Sequence, residues 1–415
     1  MLTSKNSLNS ELLLATKFFT ANENQKLNTF QINEQWRNLE ITNQTRLVVV
    51  GGKNVGKSGL SQYLINDNIR KFKKILLIDF DIGQPICGPA QTISVTLISE
   101  PIIGAGYLND YQPDKCLIYG DKSIMISPFK YVRCIRQLIE FCRSNDNYEN
   151  IPWIVNTMGY QKGLGLEIIC LVLKILQPTD VVQIQHNIQS FNFASVITES
   201  FVNEFSFTFF NSDDLDEISK EVFFTTHVLD SIVNNRMNNL NSKWISNASE
   251  KRKLSMLAQL SKILNVNQIC FNDVTPFVSP SERIQIVIYN EDISQHDRLP
   301  NFDLLNGNLV YLCQSFDDSK LDSNSILDCH GVGIVRAIDK INKRIYILLP
   351  QSNENDDNLK TKVNVLAIGN IPLPSEIIFN QGFEIKGKLP YVTSINDRSF
   401  SNMKYLNKRD IKDCF

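Results

Sequence analysis

Between Arg46 and Gln185 the chain alternates two hydrophobic periods. Leu47 to Val50 is a continuous apolar run, the pattern of a strand buried on both faces of a parallel sheet. Leu60, Tyr63, Leu64 and Ile65 follow at helical spacing. Ile75–Ile78 reads as a second buried strand after the basic, solvated helix end Arg70-Lys71-Phe72-Lys73-Lys74. Thr92–Ile98 (strand), Tyr131–Arg143 (helix), Pro152–Asn156 (strand), Glu167–Leu176 (helix) and Asp180–Gln185 (strand) continue the alternation. Such alternation predicts a mostly parallel sheet with helices on both faces, an α/β domain over residues 46–265. From about Val266 the pattern changes to short strand-like runs, Arg283–Tyr289, Asn308–Cys313, Gly331–Ile338 and Arg344–Leu349, separated by Asn, Asp and Gly. They predict a smaller, mostly β domain over residues 266–415, with polar loops at Gln314–Ser325 and Gln351–Leu359. Residues 1–45 form a polar extension in which Leu12–Phe19 suits one short helix and Trp36 packs on the domain that follows.

The first strand runs into Gly51-Gly52-Lys53-Asn54-Val55-Gly56-Lys57-Ser58-Gly59, a full phosphate-binding-loop pattern in its strand-loop-helix frame. The α/β domain is therefore expected to be a P-loop NTPase domain. Glycines let backbone N–H groups turn inward around phosphate oxygens. Lys57 supplies a point charge to the β/γ-phosphates, and Ser58 a hydroxyl for Mg²⁺. The helix that begins here points its positive end at the same phosphates. The second strand ends in Asp79-Phe80-Asp81-Ile82-Gly83-Gln84-Pro85, which puts two carboxylates at the crevice where such sheets bind ligands.

Composition narrows the choice of partner. The 415 residues are 43% hydrophobic and 21% charged, with a net charge of −2, so a globular core is expected and no overall basic field attracts nucleic acid. Any RNA-binding surface must be local. The nine cysteines form no Cys-x-x-Cys pair and read as buried reduced thiols. His186, His227, His296 and His330 show no ligand spacing, so no structural metal is expected. No apolar stretch has the length of a membrane span, and Leu12–Phe19, which contains Lys17, does not read as a secretory signal. A guanine-specific Asn-Lys-x-Asp is missing; Asn342-Lys343-Arg344-Ile345 lacks the Asp and falls in the β domain.

Three blocks together resemble the nucleolar polynucleotide 5′-hydroxyl kinases of pre-ribosomal RNA processing. They are Gly51–Ser58, Asp79–Pro85 (similar to Asp-Leu-Asp-Pro-Gly-Gln-Pro) and Asn156-Thr157-Met158-Gly159-Tyr160-Gln161-Lys162-Gly163-Leu164-Gly165 (similar to Asn-Thr-Met-Gly-Trp-x-Lys-Gly-Leu-Gly). Tyr119-Gly120-Asp121, Ser127-Pro128 and Gly333–Asp339 extend the match, which runs from about residue 36 to 375. The resemblance implies transfer of the ATP γ-phosphate to an RNA 5′-hydroxyl end, with ATP and Mg²⁺ as cofactors. It assigns Lys57 to the transferred phosphate, Asp81 to the base, Ser58, Asp79 and Asp81 to Mg²⁺ and its water shell, and Arg252 to a closing lid. Gln84, Thr157, Met158, Gly159, Tyr160 and Lys162 become the clasp on the RNA end, with Tyr160 where the family usually has Trp. It further implies a pre-rRNA-processing endoribonuclease as partner and a location in the nucleus and nucleolus. The chain departs from the family at Gly59, where Thr is common, and in an N-terminal extension too short for the β domain that usually precedes the P-loop. Two rival expectations are a nucleotide-dependent scaffold for the nuclease and an RNA kinase of mRNA or tRNA processing.

Overall fold

A computed structural model describes residues 32–105, 111–210, 216–233, 248–265, 268, 270–289, 302–316, 321–351, 358–374 and 377. The helix expected over Leu12–Phe19, His296, Cys414 and parts of the two polar loops lie outside these residues. The described chain divides into two compact units. The first is formed from the segments Phe18–Tyr119 and Ser123–Lys251, the second from Gly120–Lys122 and Arg252–Phe415.

The first unit is built on seven strands: β1 (Arg46–Gly51), β2 (Ile75–Asp79), β3 (Thr92–Ile98), β4 (Lys115–Ile118), β5 (Trp153–Asn156), β6 (Asp180–Gln185) and β7 (Thr225–Asp230). Their order is β7-β6-β1-β5-β2-β3-β4. The five strands from β7 to β2 pair parallel. β3 runs antiparallel to β2, and β4 antiparallel to β3. The reversal of β3 has a simple cause. A parallel crossover usually runs through a helix, and the twelve residues Phe80–Gln91 form an irregular loop with none. β4 and β7 are additions to the sequence reading. β4 is only four residues long, and β7 leaves five of its six residues partly or fully exposed, so neither carries a long apolar run.

The helices are α1 (Glu34–Arg37), α2 (Lys57–Phe72), α3 (Pro128–Arg143), α4 (Leu164–Leu176) and α5 (Glu199–Asn203). α2 buries Leu60, Leu64, Ile65 and Ile69, and these share one core with Leu47 and Val49 of β1. α4 is buried along almost its whole length, as its unbroken apolar sequence requires. Trp36 of α1 is 1% exposed and its ring centroid lies 5.5 Å from that of Tyr63 on α2.

The second unit has its own apolar core, including Leu305, Val310, Leu312, Val335, Ile345, Ile347 and Leu366. Its strands are β8 (Phe277–Pro280), β9 (Gln285–Ile288), β10 (Leu309–Gln314), β11 (Leu327–Asp339), β12 (Arg344–Leu348) and β13 (Val365–Ile368). β11, β10, β13 and β9 lie side by side, and β12 joins β11 to β8. Asp339 closes the β11–β12 turn by accepting the Ile341 and Asn342 amides, both at 3.0 Å. α6 (Ala248–Ser261) contains the boundary between the units, and α7 (Asn358–Lys362) precedes β13. Among the described residues no helix is long and apolar enough to cross a membrane.

Burial of Trp36 against α2 predicts that Trp36→Ala lowers the unfolding free energy by ~3–5 kcal/mol, the usual cost of deleting a buried aromatic side chain. Urea denaturation of the two proteins measures it.

Candidate active site

β1 delivers the P-loop, and α2 receives it. Gly56, at φ 105°, occupies the left-handed cap position before Lys57. Lys57 is 7% exposed, and its Nζ donates to the Gly51 carbonyl at 3.0 Å and the Gly52 carbonyl at 2.7 Å. Burial pushes its ammonium down to about 8, an effect that the carboxylate of Asp81 opposes. Lys57 and Asp81 therefore feel each other's charge across the crevice at the ends of β1 and β2. Ser58, half-buried in the first turn, has a hydroxyl without a hydrogen-bond partner among the described residues.

Distant segments clamp this loop. A side chain at Gly52 would meet the Phe191 carbonyl oxygen at 2.1 Å, and one at Gly159 would meet Lys53 Cα at 2.7 Å. Both positions demand glycine because backbone lies directly above them. Ser231 donates its hydroxyl to the Val55 carbonyl at 2.8 Å, and Thr157 donates to the Val49 carbonyl at 2.7 Å. His186 ties the surrounding loops: its Nδ1 accepts the Ile188 amide at 3.0 Å, which leaves Nε2–H to donate to the Val233 carbonyl at 3.2 Å.

The two aspartates have separate environments. Asp79 is fully buried. Its Oδ1 accepts the Asp81 amide at 3.0 Å and the Asn156 Nδ2 at 2.9 Å, and its Oδ2 accepts the Ile86 amide at 2.5 Å. Burial, with the neighbouring Asp81 charge, pushes its carboxyl up to about 7 against these bonds. A carboxylate enclosed in this way orients the loop; both oxygens are committed, so it does not fit as a direct metal ligand. Asp81 is half-buried, and its Oδ1 accepts the Gly83 amide at 2.9 Å and the Gln84 amide at 3.2 Å. Its Oδ2 has no hydrogen-bond partner among the described residues. The Asp81 carboxylate and the Ser58 hydroxyl are oxygen donors of the kind a hard cation takes.

The third block follows β5 and lies against the P-loop through Gly159. Thr157 and Met158 are 1% and 3% exposed, so their side chains support the loop from below. Tyr160 (42% exposed) and Lys162 face solvent. A side chain at Gly165 would meet Tyr160 Cβ at 2.4 Å, so the first turn of α4 seats the tyrosine. Gln84 is half-buried and follows the Asp81 turn. Arg252 belongs to α6 and to the second unit, whereas everything described above is built by the first unit alone. Asn156, which holds Asp79 through its Nδ2, carries a signal in the sequence only as a polar residue ending an apolar strand. Phe191 and Ser231 reach the P-loop from far along the chain, His186 ties the loops around it, and no local pattern announces them.

The family model for the P-loop of the mRNA cleavage and polyadenylation factor CLP1 matches residues 51–208, and the model for the NOL9-like C-terminal domain matches residues 272–374. Relatives called polynucleotide 5′-hydroxyl-kinase NOL9 include those of Drosophila melanogaster (34% identical over 90% of this chain and 36% of the relative) and Arabidopsis thaliana (27% identical over 84% of this chain and 90% of the relative). The human relative is 26% identical over 84% of this chain. The chain spans 36% of the fly relative's length and 51% of that of the mouse relative. Among solved structures, the Clp1p–Pcf11p complex shares the fold, with a TM-score of 0.51 at 16% identity over 79% of this chain and 74% of the solved one.

Asp79 predicts a pH signature in stability. Its carboxyl stands near 7 in the fold and near the usual ~3.9 when unfolded, so between these values the native state holds more protons. Stability from this group therefore falls as pH rises from about 4 to about 7. Thermal melts of wild type and Asp79→Asn across that range will show their difference shifting in favour of the variant as pH rises. The three motif blocks, the two family models and the relatives agree: the chain is similar to the proteins called polynucleotide 5′-hydroxyl-kinase NOL9.

Proposed function

We propose that this chain is an ATP-dependent polynucleotide 5′-hydroxyl kinase that phosphorylates RNA ends left with a 5′-OH. The observation that carries this reading is the geometry at the ends of β1 and β2, which flank β5: Lys57 rests on two P-loop carbonyls, and Asp81 commits Oδ1 to the Gly83 and Gln84 amides while its Oδ2 has no hydrogen-bond partner among the described residues. An alcohol is a poor nucleophile, so a base must stand beside it, and phosphoryl transfer otherwise asks mainly for positioning and charge neutralisation. Asp81 Oδ2 accepts the proton of the 5′-hydroxyl as its oxygen bonds to the γ-phosphorus. The bond to the β-phosphate bridging oxygen breaks, and ADP leaves. Lys57 leaves the Gly51 and Gly52 carbonyls for the phosphate oxygens, where its charge offsets theirs. Ser58 and Asp81 would hold Mg²⁺, which would supply further neutralisation of the phosphates. Asp79 holds Asp81 in orientation through the Asp81 amide. Tyr160 offers a ring face to the terminal base, and Lys162 a charge to its phosphate.

The names of the relatives support a polynucleotide acceptor, and that of the matching family model, an mRNA cleavage and polyadenylation factor, supports an RNA-processing role. In the same reading the substrate is pre-ribosomal RNA cut in its internal transcribed spacer, the partner is the endoribonuclease that cuts it, and the site of action is the nucleolus. Co-purification of a nuclease with the full chain tests the partnership.

The activity is tested by transfer of labelled γ-phosphate to a 5′-OH oligoribonucleotide. Asp81→Asn is expected to cut kcat by about 10²–10⁴-fold, the range of general base catalysis, while ATP affinity changes little. Near-normal turnover in that variant removes the base assignment. A wild-type protein that binds ATP yet transfers nothing is a nucleotide-binding scaffold. Tyr160→Ala is expected to raise KM for RNA by about tenfold, within the range for loss of one stacked base. An unchanged KM excludes the clasp role.

A further inference from the structure

The first unit exposes an apolar shelf that the terminal-nucleotide site does not use. Met125 (54% exposed), Ile126 (47%), Phe129 (41%) and Phe209 (45%) present large side chains to solvent. The Phe129 and Phe209 ring centroids are 5.3 Å apart, and each ring lies 5.1 Å from buried Phe210. The shelf is held from beneath by a charge. Glu167 of α4, 5% exposed, accepts the amides of Thr208, Phe209 and Phe210 at 3.2, 2.9 and 3.4 Å, together with the Thr208 hydroxyl. Burial raises the Glu167 carboxyl, but these bonds outweigh it and hold the group below its usual range. The fold thus commits a buried carboxylate to presenting a phenylalanine outward.

The position of the shelf identifies its occupant. β4 runs antiparallel to β3, which runs antiparallel to β2, so β4 ends at the same edge of the sheet as the P-loop and Asp81. α3 begins soon after β4. Tyr131, two residues beyond Phe129, donates its hydroxyl to the Phe80 carbonyl at 2.6 Å, immediately before Asp81. On the other side, Glu167 lies on the helix whose Gly165 seats Tyr160. The shelf is therefore tied to the proposed base through Tyr131 and to the clasp through α4. A polynucleotide acceptor must leave the site across some surface. With a net charge of −2 the protein has no general field to hold a polyanion, so contact falls to local groups. Aromatic faces accept any unpaired base.

We propose that Phe129 and Phe209, flanked by Met125 and Ile126, form a second stacking platform for unpaired RNA bases 3′ of the terminal nucleotide. The proposal rests on the kinase reading and extends its substrate from one nucleotide to a single-stranded segment. The test compares KM for a 5′-OH dinucleotide with KM for an unstructured RNA of about ten nucleotides, alongside fluorescence anisotropy of the longer RNA without ATP. Wild type is expected to prefer the longer RNA. Phe209→Ala and Phe129→Ala are each expected to reduce that preference by about tenfold and to weaken anisotropy binding in step, while Phe209→Trp retains both. Equal KM for the two lengths in wild type, or an unaltered preference in the alanine variants, overturns the proposal. So does a Trp variant as impaired as the Ala variant, which would mark Phe209 as structural. If wild type phosphorylates neither RNA, the kinase reading fails, and anisotropy still decides the shelf: undiminished RNA affinity in Phe209→Ala overturns it. Loss of a co-purifying protein with RNA affinity intact reassigns the surface to a protein partner.

Discussion

The carboxylate of Asp79, sealed from water at the end of β2, is the constraint from which the site follows. β2 pairs with β5 on one side and β3 on the other, so its last residue sits where three strands and two loops converge. By accepting the amides of Asp81 and Ile86 and the Asn156 side chain, Asp79 fixes the loop that turns the chain back into antiparallel β3. It also fixes the orientation of Asp81. The arrangement divides two carboxylates only one residue apart in role: one is spent internally and lifted toward neutrality, and the other is left with an uncommitted oxygen. Pairs of titratable groups driven apart by environment are a recurrent basis for acid–base chemistry.

The P-loop is equally dependent on chain that lies elsewhere. Its conformation is held by Phe191 above Gly52, by Gly159 against Lys53, and by hydroxyls from Ser231 and Thr157 on its carbonyls. The nucleotide cradle and the clasp are thus one packed object. Gly159 packs directly on Lys53, with Thr157 and Met158 buried before it and Tyr160 and Lys162 outside after it. Lys57, resting on two loop carbonyls with its charge partly desolvated, is poised to gain by exchanging them for phosphate oxygens.

Much of this was legible in the sequence where the signal is local and periodic. The apolar runs marked β1, β2, β5 and β6, and the helical spacing marked α2 and α4. The P-loop and the Asp79–Pro85 and Asn156–Gly165 blocks located the crevice. The direction of β3 was not marked by its own residues; it is set by the irregular loop before it, which holds no helix. β7, with a mostly exposed edge, has no strong period to read. The internal task of Asp79 was hidden because spacing alone puts Asp79 and Asp81 on one face and says nothing of the amides that enclose the first. The outward rings of Phe129 and Phe209 come from positions 80 residues apart in the chain, and only Glu167 beneath them reveals that their exposure is maintained.

Under the proposed kinase function, these features separate two tasks. Charge chemistry needs a dry, rigidly aimed set of groups, and it is met by residues that the sheet ends hold in place: Lys57, Ser58 and Asp81. Holding a flexible polymer needs contact area that tolerates any sequence, and a nearly neutral chain cannot obtain it from a broad electrostatic field. Stacking on rings answers that need, because every base has a π-face and the ring requires no specific hydrogen-bond pattern. The same helix, α4, serves both arrangements, seating Tyr160 at its first turn and gripping the Phe209 loop through Glu167. Its near-complete burial makes it a firm support for both.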